Sequence, residues 1–234
     1  KSAPVAVSGG RAFTSLVARN NHACGLTAGG SAWCWGDNGS GQLGDSTANQ
    51  AVTPVSVVGG RTYGSITTGG WHTCGLVVGS GAWCWGSTYS GQLGDGTATG
   101  RLSPTAVLGN QTFTVVAAGV MHTCGLEPSG VARCWGNNRG QLGDGTYSGR
   151  ATPVVVAGNH VFAGLATGLE HTCGLASDGA AWCWGQNWYG AVGDSPGSPQ
   201  PTPIAVSGGR TYIALTAGYY HTCGLLADGS AWCW

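Results

Sequence analysis

Apolar residues in this chain come in short bursts separated by glycine-rich polar stretches. In the first fifty-odd residues the bursts are 12–18 (AFTSLVA), 22–27 (HACGLT), 31–35 (SAWCW) and, after a long loop, 54–58 (PVSVV). Runs this short, bounded by Gly, Asn, Asp and Ser, predict β-strands. The four-run pattern then repeats. Pro4, Pro54, Pro104, Pro153 and Pro203 recur at steps of 50, 50, 49 and 50, and His22, His72, His122, His171 and His221 keep the same rhythm. The one short step comes from NNRGQLG at 137–143, where the first copy reads DNGSGQLG. Four short strands per unit of about 50 residues predict an all-β fold, a β-propeller of four-stranded antiparallel blades with one blade per unit. Residues 1–234 are then a single propeller domain of five repeats.

The second and third strands of each unit form a hairpin whose register can be counted. The connecting loops are Pro128-Ser129-Gly130, Ser177-Asp178-Gly179 and Ala227-Asp228-Gly229, three-residue loops that predict a type I turn closed by a left-handed glycine. Counting outward in the first unit, Thr27 faces Ser31, Leu26 faces Ala32, Gly25 faces Trp33 and Cys24 faces Cys34. The cysteines fall at a non-hydrogen-bonded pair, where side chains come closest. The same count pairs Cys74 with Cys84, Cys124 with Cys134, Cys173 with Cys183 and Cys223 with Cys233, leaving no cysteine over. Gly25, Gly75, Gly174 and Gly224 face Trp33, Trp83, Trp182 and Trp232, so the indole is expected to lie over the bare glycine; the third unit sets Arg133 opposite Gly125. His22, Cys24 and Cys34 also form a rival set of zinc ligands, but a closed zinc site wants a fourth and none is at hand. Disulfides are the expectation, with no metal and no cofactor, and with them an oxidising compartment, extracellular or periplasmic.

Composition narrows the function classes. Nine basic and nine acidic residues cancel, and the only lysine is Lys1, so there is no net field for nucleic acid or an anionic membrane. No apolar run is long enough to span a membrane as a helix, so membrane insertion is not expected. Asp45, Asp95, Asp144 and Asp194 recur one per unit in G-D-[GS], the pattern of a turn cap rather than of a carboxylate pair or calcium site. No nucleophile elbow, phosphate-binding loop or paired-carboxylate motif occurs, and an enzyme is not expected. Asn38-Gly39-Ser40 and Asn110-Gln111-Thr112 are glycosylation sequons.

With HTCGL, then G-x-x-W-C-W-G-x-N, then GQLGDGT and P-V-x-V, the unit resembles the repeats of the regulator of chromosome condensation family, over essentially the whole chain. The resemblance implies a propeller, usually seven-bladed, whose members work through a protein-binding face. Their activities range from guanine-nucleotide exchange and UV-B perception to β-lactamase inhibition and receptor-kinase ectodomains, so the fold alone does not fix function. The paired cysteines, and the lack of an inserted wedge, separate this chain from the nuclear exchange factors and make it similar to secreted or cell-surface members. The photoreceptors share Gly70-Trp71-His72 but carry several such tryptophans, where this chain has one.

The fifth copy, HTCGLLADGSAWCW, stops at Trp234 before its fourth strand, and the chain begins with an unassigned PVxV run in KSAPVAV. Pairing of Pro4–Ser8 beside Ala231–Trp234 is expected to close five blades into a ring. The alternative is a fragment of a seven-bladed propeller, with Val5 far from Cys233.

In such blades the long GQLGDGT loops and the short turns before each histidine emerge on one face. Those turns vary most between copies and carry Trp71, Met121, Glu170, Tyr219 and Tyr220; the loop tips add Tyr89, Arg139, Trp188 and Tyr189. Aromatic residues with a few charges have the composition of a binding hot spot. The competing reading is that these rings cover the propeller's own loops. The expected function is non-enzymatic binding of a protein or glycan partner through this face. A structural subunit of an extracellular assembly, self-associating through an open strand, is the second expectation, and nucleotide exchange the third.

Overall fold

The structure, a computed structural model, describes residues 3–109 and 111–234. Lys1 and the sequon asparagine Asn110 lie outside the described residues. The first blade comprises β1 (Ser15–Arg19), β2 (His22–Leu26), β3 (Ala32–Gly36) and β4 (Ala51–Ser56). The second has β5 (Tyr63–Thr68), β6 (His72–Val77), β7 (Gly81–Gly86) and β8 (Arg101–Ala106), and the third β9 (Val115–Ala118), β10 (His122–Leu126), β11 (Ala132–Gly136) and β12 (Arg150–Val155). The fourth contains β13 (Phe162–Thr167), β14 (His171–Ala176), β15 (Ala181–Asn187) and β16 (Gly197–Ala205). The fifth has three strands, β17 (Tyr212–Ala217), β18 (Thr222–Leu226) and β19 (Ala231–Cys233). All pairings are antiparallel between sequence neighbours, and the described residues contain no helix: this is a five-bladed β-propeller. The inner strands β1, β5, β9, β13 and β17 line a central channel of about 300 Å³. Across it the Arg19 guanidinium donates to Thr167 O at 2.7 Å and Gly168 O at 3.3 Å.

The counted hairpin register holds in every blade. Cys24 faces Cys34, Thr27 N–H donates to Ser31 O at 3.1 Å, and Gly130, Gly179 and Gly229 sit at φ of 83°, 85° and 86°. All five disulfides form, joining Cα atoms 4.0–4.1 Å apart. The metal reading therefore loses its thiolates. Each bridge closes a short loop, stabilising by roughly 2–3 kcal/mol in the chain-entropy account.

One expectation about these hairpins is corrected. A Cβ placed on Gly25 would run into Phe13 and Leu16, and one on Gly75, Gly125, Gly174 or Gly224 into Tyr63, Phe113, Phe162 or Tyr212. The ring over the glycine thus arrives from ahead of or within the first strand, not from the facing tryptophan, and it packs in turn on the second tryptophan of the blade (Phe13–Trp35, 5.7 Å; Phe113–Trp135, 5.7 Å). The facing tryptophan is occupied elsewhere: Arg11, Arg61 and Arg210 lie 3.5–3.7 Å over Trp33, Trp83 and Trp232. The third blade departs as expected and pairs Arg133 with Glu127.

The core lies between blades, not within them. Cys24, Leu26 and Leu43 of the first blade meet Tyr63, Ile66 and Trp85 of the second, and equivalent clusters fill the next two joints. A four-atom lock closes each of the four joints between blades that follow one another in the chain. Thr73 Oγ1 and Trp85 Nε1 both donate to Gln42 O (2.8 and 3.0 Å), so the threonine oxygen accepts from His22 Nε2 at 2.9 Å. His72–Thr123, His122–Thr172 and His171–Thr222 repeat it at 2.8–3.0 Å. Burial pushes His22 and His171 down to about 4 and His72 to about 3, so these rings stay neutral. His221 is exposed, and the first-blade residue corresponding to Thr73 is Ala23, which has no hydroxyl.

The strand closure expected at the chain ends is not formed. The fifth sheet has the order β17-β18-β19, the described residues 3–8 enter no strand, and Val5 is 63% exposed. The fourth strands of the other blades are each held by their own blade's long loop. Val58 N–H, just past β4, donates to Gly44 O in its own blade's long loop, as do Leu108 to Gly94 O, Ala157 to Gly143 O and Ser207 to Gly193 O.

Candidate partner-binding face

The long loops after β3, β7, β11 and β15 and the turns before each histidine do share a face. Asp37 N–H donates to Asn21 O, Ser87 to Trp71 O, Asn137 to Met121 O and Gln186 to Glu170 O, at 2.7–2.9 Å. The pre-histidine turns are also tied sideways, Gly70 N–H to Val120 O, Val120 to Gly168 O and Leu169 to Tyr219 O. The Tyr219 hydroxyl donates to Asn20 Oδ1 and so spans from the fifth blade to the first.

The long loops are built to satisfy themselves. Asn38 is fully buried, its Nδ2 donating to Asp45 Oδ1, Thr47 O and Asn49 O and its Oδ1 accepting from Leu43 N–H. This sequon asparagine is thus closed to modification in the folded protein. Asp45, Asp95 and Asp144 are the turn caps their spacing predicts, accepting from Thr47, Thr97 and Thr146 N–H at 3.0 Å, whereas Asp194 accepts from its neighbour Ser195 N–H. Burial alone would raise Asp95, but its bonds from Arg101 and Thr97 prevail and hold it below its usual value.

Of the nine residues singled out from the sequence, six gather at the fourth and fifth blades. Tyr189 and Tyr220 rings lie 5.1 Å apart, Tyr219 and Tyr220 6.2 Å, and Trp188 stands beside them over a small cavity that Glu170 also lines. Arg139 reaches Glu170 Oε1 at 3.4 Å from the third blade. The other three stand apart. Tyr89, 92% exposed, borders a separate hollow of about 220 Å³ with Ser87 and Thr88, while Trp71 and Met121 line neither hollow.

Two residues that the sequence reading passed over complete the fourth-blade site. In the first and third blades the loop glutamine gives its Nε2–H to the residue after the glycine, Gln42 to Asp37 Oδ2 (2.8 Å) and Gln141 to Asn137 Oδ1 (2.9 Å). Its Oε1 accepts from the loop-tip backbone at Ser40, Ser90 or Arg139. The fourth blade reads GAVGD, and Ala191 can do neither. Gln186 Oε1 is left buried with no partner in the protein, and Gln186 lines a cavity of about 10 Å³ with the tyrosines. The signal was present in the sequence as the one departure from GQLGD.

Sequence comparison places two profiles on the chain, both described as "Regulator of chromosome condensation (RCC1) repeat". One matches residues 6–42, 162–191 and 207–234 and the other 81–126, together more than half of the chain. No curated protein sequence matches it. Among solved structures it is similar to human WBSCR16 (21% identity, TM-score 0.84, covering 92% of this chain and 58% of that one). It is also similar to yeast RCC1 (Prp20) in complex with Kap60 (20%, 0.83, 96% and 56%). The ectodomain of the receptor kinase CR4 from Physcomitrella patens matches at 26% identity with a TM-score of 0.65, covering 97% of this chain and 52% of the ectodomain. The chain spans a little over half the length of each.

Proposed function

Since the chain belongs to the regulator of chromosome condensation repeat family, we propose that it is a non-enzymatic propeller that binds a protein partner through the face bearing Trp188, Tyr189, Tyr219 and Tyr220. The observation that carries this reading is the exposure of those four rings. Each is 43–67% accessible on a face whose loops are otherwise internally bonded. Large, rigid aromatics with few rotatable bonds and an adjacent ion pair are what interface anchors are made of. The solved yeast RCC1 in complex with Kap60 supports a protein rather than a glycan as partner. Five disulfides support an extracellular or other oxidising location, and the similarity to a receptor ectodomain agrees with it.

Capture experiments with the purified chain as bait, against Trp71→Ala plus Tyr220→Ala, test the reading. A partner retained by the parent and lost by the double variant, with the thermal unfolding midpoint unchanged, is the expected result. Equal capture by both would overturn it, and a glycan array run alongside would reveal a sugar ligand instead.

A further inference from the structure

The fourth-blade cavity has chemistry of its own. It lies where a glutamine side chain sits in the first three blades, and truncation to Ala191 has removed the N–H donor that an equivalent of Gln186 receives in the first and third. What remains is an acceptor that no protein group bonds, Gln186 Oε1, together with the Glu170 carboxylate, whose side chain is only 17% exposed. Tyr189 and Tyr220 present ring surface at the rim. Every one of these groups favours a positively charged hydrogen-bond donor. Carboxylate and amide oxygens accept from it, and ring faces attract its charge.

Size decides which cation. Room of about 10 Å³ is about that of a single water. A lysine ammonium is a compact point charge of that size with three donors, whereas a guanidinium is a broad plane that needs several times the space.

We infer that this cavity is a subsite for the ammonium group of a lysine side chain on a protein partner, held by Gln186 Oε1 and Glu170 and flanked by Tyr189 and Tyr220. The inference rests on the reading of this face as a protein-binding surface and names the chemistry it selects. Arg139, more than half exposed, pairs with Glu170 Oε1 at 3.4 Å and does not line the cavity.

The test uses the whole chain and an N-acetylated Gly-Gly-Lys-Gly-Gly amide, with arginine and acetyl-lysine versions as controls, followed through the Gln186 side-chain amide and Trp188 indole NMR signals. The lysine peptide is expected to saturate in the millimolar range, the arginine peptide to bind at least about tenfold more weakly, and the acetyl-lysine peptide not at all. Ala191→Gln, which restores the donor found in the other blades, is expected to weaken the lysine peptide by about tenfold or more while the unfolding midpoint holds or rises. No saturable shift in the parent, equal binding of lysine and arginine, or undiminished binding to Ala191→Gln would each overturn the inference. The two readings fail separately. Partner capture lost in the Trp71→Ala plus Tyr220→Ala variant, without any lysine peptide binding to the parent, sinks only the subsite. Lysine peptide binding without partner capture supports the subsite and counts against the wider reading.

Discussion

In the third blade Gln141 is buried, donates to Asn137 and accepts from the Arg139 backbone; in the fourth, Ala191 occupies the same place and does neither. Asn138 of the third blade donates to Asp144, Thr146 O and Ser148 O, whereas Asn187 of the fourth donates only to Ser195 O. Yet both loops give the same backbone carbonyl to the next blade: Trp184 and Thr172 bond Gln141 O, Trp234 and Thr222 bond Ala191 O. The joint is thus carried by main chain, which every side chain permits, while the outer layer of the loop is free to change. That freedom is what lets one blade of a repetitive molecule acquire a surface of its own.

The largest expected effect concerns what the two blades share. His122 and His171 are both depressed by burial, His171 to about 4 and His122 well below its usual value, so the unfolded chain binds protons that the folded chain refuses. Stability is fully present above pH 6.5 and falls on acidification, by on the order of 1 kcal/mol per pH unit for each such histidine. The His171 contribution levels off near pH 4, and that of His122 continues below it. Urea titrations from pH 7.5 to 4 check this; a flat profile would refute the neutral-histidine lock.

Next come the loop cores. Leu142→Ala is expected to destabilise by about 2–5 kcal/mol, and Val192→Ala by roughly two-thirds as much, because two carbons leave instead of three. Equal shifts in urea midpoint would mean that the two loops are packed alike. Removing the loop asparagines separates them further: Asn138→Ala should cost about 2 kcal/mol and Asn187→Ala about 1, following the bonds each makes. Smaller again is exchange of the differing residue. Gln141→Ala should lose about 1 kcal/mol and Ala191→Gln gain somewhat less, as one donor is removed or restored. Arg139→Ala, breaking an exposed pair, should change stability by less than about 0.5 kcal/mol.

Blade number, hairpin register and all five disulfides were legible in the sequence because each is a local count: a hairpin fixes its pairs by the turn, and the turn by its glycine. The capping aspartates were legible for the same reason. Which ring covers Gly25 was not, since the facing indole and the ring of Phe13, twelve residues away, are both within reach and only the Arg11–Trp33 contact settles it. The clustering of Arg139, Glu170, Trp188, Tyr189, Tyr219 and Tyr220 could be listed residue by residue but not assembled, because neighbouring blades meet at an angle that no single repeat encodes.

What the sequence by itself determined is therefore the blade: its strands, its covalent staple and its repeat length, all set within about fifty residues. The tertiary structure decided what lies between blades. It made the His–Thr–carbonyl–Trp lock, left the Pro4–Ser8 run outside the fifth sheet, and placed an amide oxygen with no protein partner beneath a ring of tyrosines. The physical reason is that hydrogen-bond satisfaction across a joint is a property of two repeats in contact, and a change as small as glutamine to alanine shows its consequence only where the second repeat arrives.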